Sequence, residues 1–335
     1  MLQKFKFICP TILLVVLFLT NVNAQVRVFS KNGLKRVKAG KTHLVVWDWD
    51  FPGSPEYFKV IKKYWTITKS IDFIKESALK DNLVKGDSYL SIVSTLHVDS
   101  NTMVRVAPQE MQRFSTVYFY LNFWVPSEAA LKKKHVLNSK PFNIAKDEVP
   151  IAQVQMSVDS QYLNNAEKLK NGSYVRFDFD GGGHVANWNP GAMKNYIEQL
   201  NYFLHLGKKV DISDDIDSKD DVTGLKEHTI FCPEDDFPST QSLASKTAYL
   251  KLVFEGYHYN VRILSTREFQ DKILDAEDKP FYYLLFLHNT PVGKVFAIIN
   301  STSGIPVYQK HKASNSAVLR PGDLDDLITE IQTRK

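Results

Sequence analysis

The sequence predicts an α/β to α+β protein of two duplicated domains, each a mixed β-sheet with packed helices in the order strand-helix-strand-helix-strand-hairpin-helix. Three observations predict this. The chain has 335 residues, 44% of them apolar, and at roughly 150 residues per domain that is enough for two cores. Apolar runs of strand length alternate with segments of helical periodicity, the pattern of sheets with helices packed on them. The same ordered anchors also occur twice along the chain. With 24% charged residues, 15 Gly and 14 Pro, collagen-like, coiled-coil, Pro-rich and disordered classes are excluded.

From the amino terminus, Lys4 and Lys6 precede an apolar run from Ile12 to Leu19, and Val22-Asn23-Ala24 supplies small residues before Gln25. This is the pattern of an export signal over residues 1–24, cleaved after Ala24. The run is too short to span a bilayer, and no later stretch reaches membrane-helix length. Val117 to Val125 is interrupted by Asn122 and alternates like a strand. Cys9 lacks the spacing for lipid attachment, so the exported product is expected to be periplasmic or secreted. Its removal leaves Cys232 as the one cysteine, which excludes an internal disulfide.

The first domain is placed at 25–209. Its anchors are Lys41-Thr42-His43, a strand Leu44 to Trp47, Asp50-Phe51-Pro52, a helix Pro55 to Lys63, a strand Trp65 to Lys69, an amphipathic helix Ile71 to Leu79, and a strand Tyr89 to Val93. Strands at Val117 to Pro126 and Ile151 to Val158 lie within about 70 residues read as an insertion. A hairpin around Gly181-Gly182-Gly183 and a helix from Asn189-Pro190 close the domain. Residues 210–225, with six Asp and one Lys between 211 and 221, read as an acidic linker. They lack the Gly and Glu positions of a calcium loop.

The second domain, 226–335, repeats the anchors. Lys226-Glu227-His228 leads into Thr229 to Cys232, then Asp236-Phe237-Pro238, a helix Leu243 to Phe254, a strand Asn260 to Leu264 and a helix Glu268 to Leu274. A strand Phe281 to Leu287, a hairpin and a helix after Arg320-Pro321-Gly322 follow. In this alignment His228 matches His43, Cys232 matches Trp47, and Pro321 matches Pro190. Two of the 42 Lys+Arg lie in the signal, so the mature chain carries 40 against 37 Asp+Glu, a net of +3. Residues 25 to 209 hold 26 basic and 17 acidic side chains and residues 210 to 335 hold 14 and 20, two surfaces of opposite sign. No nucleic acid partner is expected.

The second-half order, Val261 to Phe269, Phe281 to Leu287, Val295 to Asn300, Thr302-Ser303-Gly304, Val307-Tyr308 and a helix over Asp323 to Ile331, resembles the amino-terminal domain of the periplasmic protein TolB and its fold relatives. That resemblance covers about 75 residues and implies an interaction module without catalytic residues. It carries no partner across, because no propeller follows. The whole chain also resembles exported tandem α/β-domain proteins of Gram-negative envelopes.

Four constellations can carry chemistry. Asp48 and Asp50, matched by Glu234, Asp235 and Asp236, follow strands whose carboxyl ends are where open α/β sheets bind ligands, so a cation site is one reading and turn or cap residues the other. Asp178 and Asp180 share a strand face beside three glycines, a candidate metal pair or a solvent-facing pair at a hairpin tip. His43 and His228 begin strands and read as surface or edge residues. Thr229-x-x-Cys232 echoes the peroxiredoxin Thr-x-x-Cys pattern, while Leu225 stands where that family has Pro, so a buried structural cysteine is the alternative. The sequence is therefore read as an exported, non-catalytic binding or structural protein of the bacterial cell envelope, with a protein or polymer partner and no cofactor. The alternative is an enzyme, either thiol peroxidase-like through Cys232 and Thr229 or acid-lined and metal-binding.

Overall fold

A computed structural model describes residues 26–30, 32–46, 54–107, 110–134, 144–156, 189–210, 216–217, 219–237, 242–276, 280–290, 293–313 and 319–333. They form two six-stranded mixed sheets with packed helices. The first contains β1 (Val26–Val28), β2 (Thr42–Val46), β3 (Ile71–Lys75), β4 (Ser88–Ala107), β5 (Glu110–Pro126) and β6 (Glu148–Met156), in the spatial order β1-β6-β5-β4-β2-β3. The second contains β7 (Ile216–Asp217), β8 (Ile230–Pro233), β9 (Val261–Leu264), β10 (Tyr282–Thr290), β11 (Gly293–Asn300) and β12 (Pro306–Ala313), in the order β7-β12-β11-β10-β8-β9. Adding six to each strand of the first order gives the second. The directions agree as well: β2 is parallel to β3 and β4, as β8 is to β9 and β10, and the remaining pairs are antiparallel in both sheets.

The parallel strands need crossovers, and these carry the helices. In the first half α1 (Gly33–Val37) joins β1 to β2 and α2 (Ser54–Tyr64) joins β2 to β3. Two 3₁₀ turns, Glu76–Ala78 and Lys80–Asn82, lead to β4, and α3 (Glu128–Lys133) and α4 (Ile144–Asp147) lie between β5 and β6. The half closes with α5 (Pro190–Leu206), capped by the Asn189 side chain on Ala192 N–H and ended by Gly207 in the left-handed region. In the second half α6 (Lys219–Gly224), α7 (Leu243–Val253), α8 (Thr266–Leu274) and α9 (Asp325–Thr333) occupy the corresponding places. Ser265 and Glu268 form a capping box that starts α8.

The second-half elements follow the sequence reading closely, and the first half departs from it in three ways. Ile71 to Lys75 is a strand parallel to β2, where a helix to Leu79 was expected. Trp65 to Lys69, expected as a strand, is a connection whose alternation plugs the end of α2: Ile67 is 1% exposed and the Trp65 indole donates to Thr68. The strands expected as an insertion are β5 and β6, the counterparts of β11 and β12. The expected hairpin at 178–184 lies outside the described residues. The acidic stretch supplies β7, paired with β12, and α6, followed by a 3₁₀ turn at Leu225–Glu227. Val222 and Leu225 are fully buried there, so this segment is built into the second sheet's core.

Hydrogen bonds fix how the halves correspond. Thr42 N–H donates to Ser70 O at 2.9 Å and Ile230 N–H donates to Asn260 O at 2.9 Å, each acceptor directly preceding the neighbouring strand. Thr42 therefore matches Ile230, His43 matches Phe231, and Leu44 matches Cys232. The expected match of His43 with His228 is three positions out of register, an odd slip that exchanges the two faces of the strand. Nor does Cys232 match Trp47. Pro190 is the first residue of α5, whereas Pro321 precedes α9 by four positions. With Thr42 paired to Ser88 and Ile230 to Tyr282, Tyr89 corresponds to Tyr283 and Leu90 to Leu284.

One core lies between the inner face of the first sheet and α2 and α5, with Leu44, Leu90, Leu121, Phe123, Val154, Ile197 and Leu200 at its centre. Part of the outer face of the first sheet is covered as well, where Tyr89 and Trp124 pack with Leu79, Leu83 and Ala130, and the second sheet is buried on both faces too. Ile230, Cys232, Leu284 and Ile298 meet α7 and α9, while Tyr283, Leu285, Ala297 and Ile299 lie on the face that receives α8. Because α5 touches the first sheet on one side and α8 on the other, nearly all of its side chains are buried. The backbones come close: a Cβ on Gly191 would lie 2.7 Å from Gln270 O, and one on Gly304 2.6 Å from Asn195 O. Lys194 Nζ donates to Ile273 O at 3.0 Å, near the carboxyl end of α8, and sits 5.2 Å from the Tyr64 ring centre. Asn195 donates to Ser301 O and accepts from the Tyr283 hydroxyl at 2.9 Å in each case.

Candidate functional site

The correspondence between the halves lets one serve as the control for the other. On the outer face of the first sheet, away from α2 and α5, one row crosses four strands. Arg27 pairs with Gln153, Gln153 with Asn122, and Asn122 with Ser91. Each alternates with residues of the inner core, Val26 and Val28, Ala152 and Val154, Leu121 and Phe123, which places the row outward. The corresponding row of the second sheet is Ile216, Gln309, Ala297 and Leu285. Only the glutamine is shared. One scaffold thus carries an apolar row in the second half and a polar row in the first.

The polar row does not face open water. Asn122 is 3% exposed, Ser91 7%, and Gln155 in the neighbouring row 2%, while Arg27, Gln153 and Tyr120 are half-buried. A buried polar group costs free energy unless it is hydrogen-bonded, and at Gln153, Asn122 and Ser91 bonds are present. Gln153 Nε2 donates to Asn122 Oδ1 at 3.1 Å, and Asn122 Nδ2 donates to Glu148 Oε2. The Trp124 indole donates to Ser91 Oγ at 2.9 Å, and its ring stacks on Tyr89 with centroids 4.7 Å apart. Burial pushes the Glu148 carboxyl well above the usual range; the Asn122 bond opposes this and the adjacent Asp147 adds to it. Asp147 is buried against Lys133, which donates to both its oxygens at 2.7 and 2.9 Å.

The residues singled out from the sequence have other fates. Asp48, Asp50, Asp178 and Asp180 lie outside the described residues. Glu234 accepts from the buried Lys246 at 2.9 Å. Cys232 is fully buried among Ile230, Leu284 and their neighbours, and burial first, then Asp236, push its thiol well up. Thr229 lies just before β8, and three residues along an extended chain put Thr229 and Cys232 on opposite faces. That does not assemble a Thr-Cys pair. His228 is exposed beside Tyr282, its ring centroid 5.1 Å away. His43, read as a surface or edge residue, is instead half-buried, bonded to Asp87 at 2.9 Å and stacked on Tyr89. Among the described residues no three His, Cys, Asp or Glu side chains gather as a metal site, and no helix is long and apolar enough to cross a membrane.

No protein-family model, curated protein or solved structure matches the chain.

Proposed function

We propose that the protein is an exported, non-catalytic binding protein of the bacterial cell envelope, in which the second unit is scaffold and the outer face of the first sheet recognises a protein or polymer partner. One observation carries this reading: at equivalent positions of one topology, Arg27, Asn122 and Ser91 stand where the second unit has Ile216, Ala297 and Leu285. Structure alone does not call for the polar version, since the apolar row forms the same three strand pairs. Keeping a polar row in a mostly buried setting costs desolvation that the apolar row avoids, and recognition is what such groups supply. Export is supported by the basic, apolar and small-residue order of residues 1–24.

A photo-crosslinking amino acid placed at Gln153 or, separately, at its buried counterpart Gln309 tests the reading in whole cells. An adduct is expected from position 153 in the envelope fraction, with none from 309, on a product beginning at Gln25. Adducts from neither position, or equally from both, refute it.

A further inference from the structure

Among the described residues β3 (Ile71–Lys75) has a single strand neighbour, β2, with which it pairs residue for residue without a bulge. Thr42 N–H donates to Ser70 O. In a parallel ladder that phase turns the N–H and C=O groups of Asp72 and Ile74 toward β2, and those of Ile71, Phe73 and Lys75 away from it. A row of outward backbone groups is a template for another strand, and edges are commonly blunted by a proline, a bulge or charge. β3 has no proline and no bulge, and its two charges, Asp72 and Lys75, are of opposite sign. Phe73 lies at its centre, 39% exposed, the one strand side chain among the described residues that is large, apolar and exposed. Its ring centroid is 4.8 Å from that of Phe58 on α2. At the corresponding edge of the second unit Ile263 stands in its place and is buried. The other edge of the first sheet, β1, is already engaged, because Val28 and Val210 exchange both backbone bonds.

We infer that β3 pairs antiparallel with β3 of a second copy of this chain, about a two-fold axis through Phe73, and so joins the two first sheets into one. In that register Phe73 faces Phe73 of the second copy and Ile71 faces its Lys75, so the three outward N–H groups of each chain all meet carbonyls. The two Phe73 rings, each backed by its own Phe58, form an apolar centre, and Asp72 faces Ile74. The neighbouring symmetric registers are worse. An axis through Asp72 sets two carboxylates directly opposite each other, and one through Ile74 sets Asp72 against Glu76; like charges so placed are unfavourable. A foreign strand needs only the open edge, whereas this match of hydrogen-bond phase, ring and charge about one residue is particular to self-pairing. The contact is independent of the binding-face reading above. It leaves both outer faces on the same side of a joined twelve-stranded sheet, with position 153 outside the new junction.

Sedimentation equilibrium of the chain beginning at Gln25 is the test, and a reversible monomer–dimer equilibrium in the micromolar range is expected. Phe73→Lys sets two cations at the axis, and Phe73→Pro removes an outward N–H while sparing the bonds to β2. Each is expected to weaken the dimer at least tenfold with the melting temperature of the dilute monomer unchanged. The register is read in a Cys232→Ala background. Under an added oxidant Phe73→Cys should give a disulfide-linked dimer, because directly opposed residues of a hydrogen-bonded pair have Cα atoms about 5.5 Å apart. Lys75→Cys, which faces Ile71 in this register, should not. A chain that stays monomeric at high micromolar concentration, a dimer undiminished in the folded Phe73→Lys variant, or equal linking at 73 and 75 overturns the inference. A monomer that instead captures another protein at position 73 overturns it too, and gives the edge to a foreign strand.

Discussion

Replacing Glu148 by Gln isolates the cost of a buried carboxyl in the polar row. Its pKa is raised in the folded protein, burial being the main cause, so the folded state holds the proton more tightly than the unfolded chain. Stability from this group is fully present below the ordinary value of 4.5. It is lost as pH rises from there to the folded pKa, at up to about 1.4 kcal/mol per pH unit, and stays lost above it. Gln has nearly the same shape and keeps an oxygen to accept from Asn122 Nδ2, while carrying no charge to desolvate. The unfolding free energies of wild type and Glu148→Gln should therefore lie within about 0.5 kcal/mol of each other near pH 4, then diverge with increasing pH, the variant becoming the more stable. The assay is urea unfolding at half-unit intervals from pH 4 to 8, taken as the difference between the proteins so that other carboxylates cancel. Parallel curves, or a wild type that gains on the variant as pH rises, would refute the reasoning. A companion Asn122→Leu variant removes the bond that opposes the shift and should steepen the wild-type slope toward its limit.

Three further outcomes follow from particular contacts. Cys232→Ala should cost about 1 kcal/mol in urea unfolding, the scale for one small buried group, and native protein should consume peroxide no faster than the variant; rapid consumption abolished by the substitution would restore the thiol enzyme. Tyr283→Phe leaves Asn195 Oδ1 without the hydroxyl it accepts from, which should cost about 1–3 kcal/mol for a buried acceptor, and a loss below 0.5 kcal/mol would show that water replaces the bond. Gly304 has φ +68°, and its Cβ would meet Asn195 O at 2.6 Å. Gly304→Ala should therefore lower the melting temperature well beyond the ~1 kcal/mol expected of conformational strain alone, and an unchanged transition would show that the two units are not held this closely.

The second half was legible because its elements are regular and bounded. Apolar runs such as Phe281 to Leu287 mark a strand buried on both faces, and Ser265 with Glu268 marks a helix start. The first half misled where local pattern and tertiary role part company. Ile71-Asp-Phe-Ile-Lys75 places apolar residues three apart, as a helix does, yet its pairing with β2 makes it an edge strand. Aligning His43 with His228 sets the register three residues off, and in that register β5 and β6 look like an insertion. Six aspartates masked Val222 and Leu225, whose burial makes the segment structural. Asn122, noted only as an interruption of an apolar run, was the one trace of the polar row. Which residues flank it across the sheet depends on register between strands far apart in sequence, and composition does not record that.

The close seating of α5 against the second unit also imposes an order in time. Asn195 bonds to Ser301, 106 residues further along, so the side of α5 that receives the second unit is made long before its partner exists. At about 5–20 residues per second of synthesis that interval is about 5–20 s. During it the first unit must hold a buried-to-be lysine, asparagine and glycine in contact with solvent, or remain unfolded until the whole chain has emerged. A chain exported unfolded takes the second course, because both halves of the joint then become available together.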